Sequence, residues 1–263
     1  MTALFDQVIF GPVRSRRLGL SLGVNLLPVD AKLCSFDCIY CECGWNKDHP
    51  ATHSRSLPHR VIRDQLEVAL EHMVAAGTPP DVITFAGNGE PTLYSEFEAV
   101  INDTIALRDR LAPETKISVL TNATRIHDPG VYLALLRVDY PILKLDSAFD
   151  ETIRRINRPQ NPRFGVFPFE VSRLVELMKH FKGEIILQTM FLRGTCDGEP
   201  IDNTTEREVS AWLKLVDEIR PRQVMVYSLD RDTPCQTLEK VGRDELQQIA
   251  ARVEALGIPC SVA

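Results

Sequence analysis

Cys34-Ser35-Phe36-Asp37-Cys38-Ile39-Tyr40-Cys41 is the stretch from which the rest of the chain is read. It spaces three thiols as C-x3-C-x2-C. A chain advances at most about 3.3–3.6 Å per residue, so the three sulfurs can converge on one small inorganic centre without help from distant segments. A structural zinc site takes four protein ligands, and so does a [4Fe–4S] cube held entirely by protein. Three ligands leave one position open for a substrate or co-substrate. Cys43 follows at C-x-C spacing, too cramped for the same cube, and is read as outside the set. A zinc knuckle completed by Cys43 or His49 stands as the alternative.

Working outward, 263 residues suit one large α/β domain, expected to span 1–263. A hydrophobic share of 44% and a charged share of 25% are ordinary for a globular chain with ample core. The seven cysteines are odd in number and clustered, which points to metal chemistry in a reducing compartment rather than to a disulfide framework. No apolar run is long enough to span a bilayer. Met1–Gln7 shows neither the basic nor the apolar part of a secretion signal. A cytoplasmic location without membrane contact is the expectation. A net charge of −6 argues against bulk, non-specific nucleic-acid binding. Two local basic groups remain: Arg14, Arg16 and Arg17, and Arg154, Arg155, Arg158 and Arg163.

The chain has a strand-then-helix rhythm. Strands are expected over 21–27, 81–86, 116–120, 142–146, 184–191 and 223–228, with a short extra one over 258–262. Helices are expected over 58–76, 95–111 (capped by Ser95), 130–138, 168–181, 204–219 (with a Thr205/Glu208 capping box) and 243–256. This alternation argues for a parallel sheet, as a barrel or an open doubly wound sheet. Polar residues collect just after the apolar strands: Gly87-Asn88-Gly89-Glu90-Pro91, then Thr121 and Asn122, then Lys144, Asp146 and Ser147. Gln188, Thr189, Arg193 and Cys196 follow, then Tyr227, Ser228, Asp230, Arg231 and Cys235. An apolar core needs none of these, whereas loops on a rigid scaffold carry function. Cys196, Cys235 and Cys260 have three readings: a thiol pair for hydrogen-atom transfer, ligands of a second cluster, or ordinary thiols. They show no C-x2-C pair, so a second cluster is not expected. His49, His53 and His59 fall in a polar stretch that reads as a solvated loop.

The cysteine spacing, with aromatic Tyr40 before Cys41, resembles the signature of the radical S-adenosylmethionine (SAM) superfamily. Gly87-Asn88-Gly89-Glu90-Pro91 is similar to its Gly-Gly-Glu-Pro motif, with Asn88 in place of a glycine. The resemblance implies an α/β fold, a partial (β/α)6 barrel of parallel strands with its site at the strands' C-terminal ends. It implies that Cys34, Cys38 and Cys41 hold a [4Fe–4S] cluster whose fourth iron SAM chelates. Gly87, Asn88, Gly89 and Glu90 would meet the SAM amino group, and Tyr40 would lie near the adenine. Asn122, Lys144, Asp146, Ser147 and Gln188 would serve the rest of SAM, with a plain ion pair to Asp146 as the other reading of Lys144. A reductant such as flavodoxin or ferredoxin is implied. So is reductive cleavage of SAM to a 5′-deoxyadenosyl radical acting on a substrate the sequence does not name. Phe10 to Asn25 narrows the resemblance to a bacterial subgroup grouped with the wyosine-type tRNA-guanosine synthases. Such a tRNA substrate, or an activase acting on a partner protein, are the alternatives. A zinc-binding α/β protein without SAM chemistry is the rival class.

Overall fold

Helices that follow strands in turn force the strands to run parallel, and the computed structural model shows that arrangement over residues 3–15, 18–160 and 169–263, the residues it describes. Arg16, Arg17 and Arg163 lie outside the described residues. Strands β1 (Ile9–Ser15) and β2 (Gly19–Val24) make an antiparallel hairpin. The chain then runs through α1 (His59–Ala75), β3 (Val82–Phe85), α2 (Phe97–Leu111), β4 (Lys116–Thr121), α3 (Pro129–Leu135), β5 (Tyr140–Lys144), α4 (Asp150–Ile156), α5 (Val171–Lys179) and β6 (Ile186–Met190). It continues as β7 (Leu192–Cys196), β8 (Glu199–Asp202), α6 (Glu206–Ile219), β9 (Gln223–Tyr227), β10 (Leu238–Lys240), α7 (Arg243–Glu254) and β11 (Cys260–Val262). The main sheet has the order β1-β2-β3-β4-β5-β6-β9-β11, and it is parallel from β2 onward. It curls into the expected partial barrel. A small second sheet, β10-β7-β8, sits beyond the end of β6.

Alternation along each strand separates two environments. Val24, Ile83, Phe85, Ile117, Val119, Leu143, Leu187, Val224 and Val226 face the helices and form one large core with them. The opposite face lines the lumen. Its lowest layer is Ile142, Ile186 and Met225, packed with Leu18, Leu120 and Tyr140. Further along the strands the lumen turns polar. Ser21 and Thr84 share a hydrogen bond of 2.8 Å, and Gln188 aligns with Lys144 on β5 and Met225 on β9. The chemistry therefore sits at the C-terminal ends of the strands, as in related barrels.

Several local expectations are corrected. The first strand ends at Val24, because the Asn25 side chain turns the chain by accepting from Leu27 N at 3.2 Å. Ser95 does not cap α2. A 3-10 turn over Pro91–Leu93 carries the chain to Tyr94, and α2 starts after Glu96. The capping box is half made. Thr205 Oγ1 accepts from Glu208 N at 3.3 Å, but the Glu208 carboxylate faces Ser147 and Thr152 instead. Strands β1, β7, β8 and β10 and helix α4 were not anticipated. Strands β7, β8 and β10 and helix α4 are short or rich in charge, and β1 is interrupted at Gly11-Pro12, so tertiary contacts rather than periodicity make them.

Candidate cofactor site

The cysteine loop leaves β2 and is zipped to the loop after β3. Leu33 N donates to Asn88 O at 2.9 Å, and Glu90 N donates back to Leu33 O at 3.0 Å. At Gly89 (φ 137°) a Cβ would stand 1.9 Å from Leu33 O, and at Gly87 (φ 144°) 2.5 Å from Asn25 Oδ1. Only glycine allows both the positive φ and the close approach. Asn88 does not offer its side chain to a ligand. Its Nδ2 donates to Phe5 O at 2.8 Å and Pro28 O at 2.9 Å, and its Oδ1 accepts from Phe5 N at 2.8 Å. The Asn-for-Gly departure thus ties the N-terminal segment down.

Two of the three cysteine sulfurs receive a side-chain amide, and the charge of a buried lysine acts on the third. Asn122 Nδ2, just past β4, reaches Cys34 Sγ at 3.7 Å. Asn157 Nδ2, at the C-terminus of α4, reaches Cys38 Sγ at 3.5 Å. The Lys32 ammonium favours the thiolate of Cys41. Burial, with the nearby Cys41, pushes the Cys38 thiol up to about 11. Burial also raises Cys34, against the pull of Lys32. Cys41 is drawn down to about 6 by its hydrogen bond with Cys43 and by the Lys32 charge, and Cys43 is raised in turn. Among the described residues, no three His, Cys, Asp or Glu side chains gather round a single-ion position.

Glu90 is buried under four donated bonds. Its Oε1 accepts from Thr92 N at 3.1 Å and from the Thr92 and Thr121 hydroxyls, each at 2.6 Å, while its Oε2 accepts only from Asn122 N, at 2.6 Å. Burial raises its pKa and these bonds oppose the rise. Oε2 therefore keeps accepting capacity beside Cys34.

Asp146, expected to meet SAM, is the hub of an internal network. Its Oδ1 accepts from Met190 N at 2.8 Å; its Oδ2 accepts from Asn157 Nδ2 at 2.7 Å and from the Tyr40 hydroxyl. Lys144 lies 3.8 Å from it, donates to the Tyr227 hydroxyl at 2.8 Å and stands 5.2 Å from the Tyr40 ring centre. The Tyr40 ring packs with Ile39, Ile156, Met190 and Leu192 in a second, smaller core. Ser147 turns away from the lumen and donates to Glu208 on α6 at 2.6 Å. Gln188 does line the lumen cavity, about 280 Å³, together with Ser21, Thr84 and Phe10.

Sequence reasoning missed Lys32, Asn25, Asn157 and Asn203, whose Nδ2 holds the Asp146 carbonyl at 2.8 Å. Asn25, polar directly after an apolar strand, carried a visible signal; Asn157 and Asn203 carried none. Cys196 and Cys235, 39 positions apart in sequence, come into hydrogen-bonding contact through the pairing of β7 with β10. Cys235 N bonds Ile39 O at 3.2 Å, so the pair abuts the cysteine loop. Cys260 is apart, on edge strand β11. His59 pairs with Asp103 at 2.7 Å on the surface and takes no part in the site.

The model of the radical SAM superfamily matches residues 30–199, more than half of the chain. The chain belongs to the radical SAM superfamily. Its fold and family are those of radical SAM enzymes. It is 31% identical over 233 residues to a UPF0026 protein of Synechocystis sp., covering 87% of this chain and 77% of that protein. It is 30% identical over 247 residues to the "GTPase Obg" of Brachyspira hyodysenteriae, covering 94% of this chain but only 33% of that protein. This radical SAM chain carries no G-x4-G-K-[ST] phosphate loop. Among solved structures, it resembles in fold a radical SAM methyltransferase from Sphaerobacter thermophilus (TM-score 0.67, 17% identity, 92% of this chain and 65% of that one). It likewise resembles TYW1 with a lysine-pyruvate adduct bound (TM-score 0.58, 14% identity, 89% and 73%). No helix among the described residues is long and apolar enough to cross a membrane.

Proposed function

We propose that Cys34, Cys38 and Cys41 of this radical SAM enzyme hold a [4Fe–4S] cluster, and that SAM binds over it at the mouth of the lumen. The observation that carries this reading is the set of three sulfurs beside the Gly87–Glu90 loop, two of them met by amide donors and all three under the charge of buried Lys32. The residues present fit the group. Thiolates are the ligands such clusters take, and hydrogen bonds to the sulfurs are part of how proteins hold and tune them. Cysteines that do not close on a single ion suit a multi-iron body better than one zinc. Asn25 Nδ2 and Asn157 Oδ1 are buried without a partner on either side of the loop. Buried polar atoms are normally paired, so a polar occupant is fitting there.

Bound together, the cluster and SAM supply a one-electron reductive cleavage that yields a 5′-deoxyadenosyl radical. The chain's own part is to orient and to exclude water. Glu90 Oε2 would accept from the SAM amino group and Gln188 would meet SAM from the lumen wall, while the Tyr40–Asp146–Asn157 network holds the cysteine loop in place. An external one-electron reductant, flavodoxin or ferredoxin in class, is required. The lumen cavity of about 280 Å³ that Gln188 lines would admit a small group. The continuous eight-stranded sheet supports reading 1–263 as one core domain. The test is anaerobic reconstitution followed by dithionite and SAM. Iron and sulfide near four per chain with release of 5′-deoxyadenosine supports the reading; one zinc per chain and no 5′-deoxyadenosine overturns it.

A further inference from the structure

The groups set around the cysteine sulfurs are not equivalent. Asn122 and Asn157 offer neutral amides, at 3.7 and 3.5 Å. Lys32, set within the cysteine loop between Asp37 and Gly44, brings a full positive charge. Its side chain is only 1% exposed. A buried ammonium is costly unless it is paired and hydrogen-bonded. Beyond the thiols, its partners are Gly44 O at 2.6 Å and Asp37 Oδ1 at 3.5 Å. One carboxylate at that distance, itself 17% exposed, is thin compensation for so deep a cation. The anion that completes the balance is a thiolate-bound cluster. The backbone supports the same geometry, since Lys32 N donates to His49 O at 2.9 Å. Lys32 is thereby held at both ends, across the cysteine loop and the segment that follows it.

We propose that Lys32 is a positioning residue for the cluster and sets its reduction potential, its fixed charge favouring the reduced form. This rests on the reading that Cys34, Cys38 and Cys41 hold the cluster. Reduction adds one electron and so one negative charge to the cluster. Cluster potentials follow net charge, hydrogen bonds to the sulfurs and solvent exposure. A cation a few ångströms away, shielded from water, acts far more strongly than the same charge in solvent. The two asparagines orient their sulfurs without changing the charge. Lys32 does both, and eases transfer of the electron that SAM cleavage needs.

The experiment compares wild type, Lys32→Met and Lys32→Arg after anaerobic reconstitution. Iron and sulfide are measured first, then the midpoint potential by a redox titration followed by absorbance and electron paramagnetic resonance. With iron retained, Lys32→Met should lower the reduced fraction at a fixed potential about tenfold, a shift of about 59 mV for a one-electron couple. Lys32→Arg, which keeps the charge, should stay close to wild type. Loss of iron in Lys32→Met but not in Lys32→Arg would also support the proposal, because the charge itself would then be needed for assembly. The proposal is overturned if Lys32→Met titrates with wild type, if Lys32→Arg shifts as far as Lys32→Met, or if both variants lose iron. Wild type that binds no iron would instead sink the cluster reading beneath it.

Discussion

The two ends of one parallel sheet follow opposite rules. At the N-terminal end of the strands, Ile142, Ile186 and Met225 make a plain apolar layer. Two residues further along the same strands come Lys144, Gln188 and Tyr227, and beyond β5 comes Asp146 with both of its oxygens occupied. The lower layer needs only volume and shape. The upper one needs particular donors at particular atoms, because an unpaired polar group away from water is costly. The lower end should therefore answer to mutation in stability, and the upper end in cofactor binding.

Replacing Cys34, Cys38 and Cys41 together by alanine is the most severe test of the upper end. Iron after reconstitution should fall to background while far-ultraviolet circular dichroism stays near wild type. Four irons still bound in that variant would break the comparison. At the lower end, Met225→Ala should cost about 2–5 kcal/mol in urea unfolding. SAM affinity of the folded, clustered variant should remain within about twofold of wild type, since the Met225 side chain presents no polar group to the upper end; a loss of SAM binding as large as the loss of stability would dissolve the distinction.

Glu90→Gln keeps the side chain's shape and removes its charge. The missing charge-assisted bond is worth about 1.5–3 kcal/mol, or about ten- to a hundredfold in SAM affinity by calorimetry, with iron content unchanged. Tyr40→Phe removes one donor from Asp146, which keeps Met190 N and Asn157. A cost of about 1 kcal/mol in stability is expected, with iron retained. A complete loss of the cluster in Tyr40→Phe would make the ring's hydroxyl part of the site itself. The smallest effect concerns Cys196, whose thiol is pushed up to about 12 by burial and by its hydrogen bond with Cys235. Since the thiolate is the reactive form, iodoacetamide near neutral pH should label Cys196 slowly in the folded protein and fast in urea. Peptide mass spectrometry reads the difference, and equal rates would contradict that burial.

The alternating strands and helices were readable because parallel strands covered on both faces are continuous apolar runs. Helix periodicity also placed α1 within a residue at each end. Short β7, β8 and β10 were not readable, because three to five residues carry too little pattern and their pairing partners lie far off in sequence. Among candidate site residues, Gly87, Gly89 and Glu90 lie in the loop after β3 and Gln188 lies on β6 facing the lumen cavity. Asp146 and Ser147 sit at the right strand end but spend their side chains on Tyr40, Asn157, Met190 and Glu208. A sequence reports which residue ends a strand, not which neighbour has already taken its hydrogen bonds.

The three thiols could be singled out from the chain alone, because eight consecutive residues can bring their sulfurs together without help from distant segments. The need for glycine at 87 and 89 was equally local, since positive φ is cheap only without a Cβ. The partners of those thiols belong to the tertiary fold. Asn122 meets Cys34 across 88 positions and Asn157 meets Cys38 across 119. Cys196 and Cys235 share the smaller core only because the chain folds β10 back onto β7. Contacts of that separation arise from how the sheet curls and how its loops stack, and no short-range pattern in a single chain encodes that.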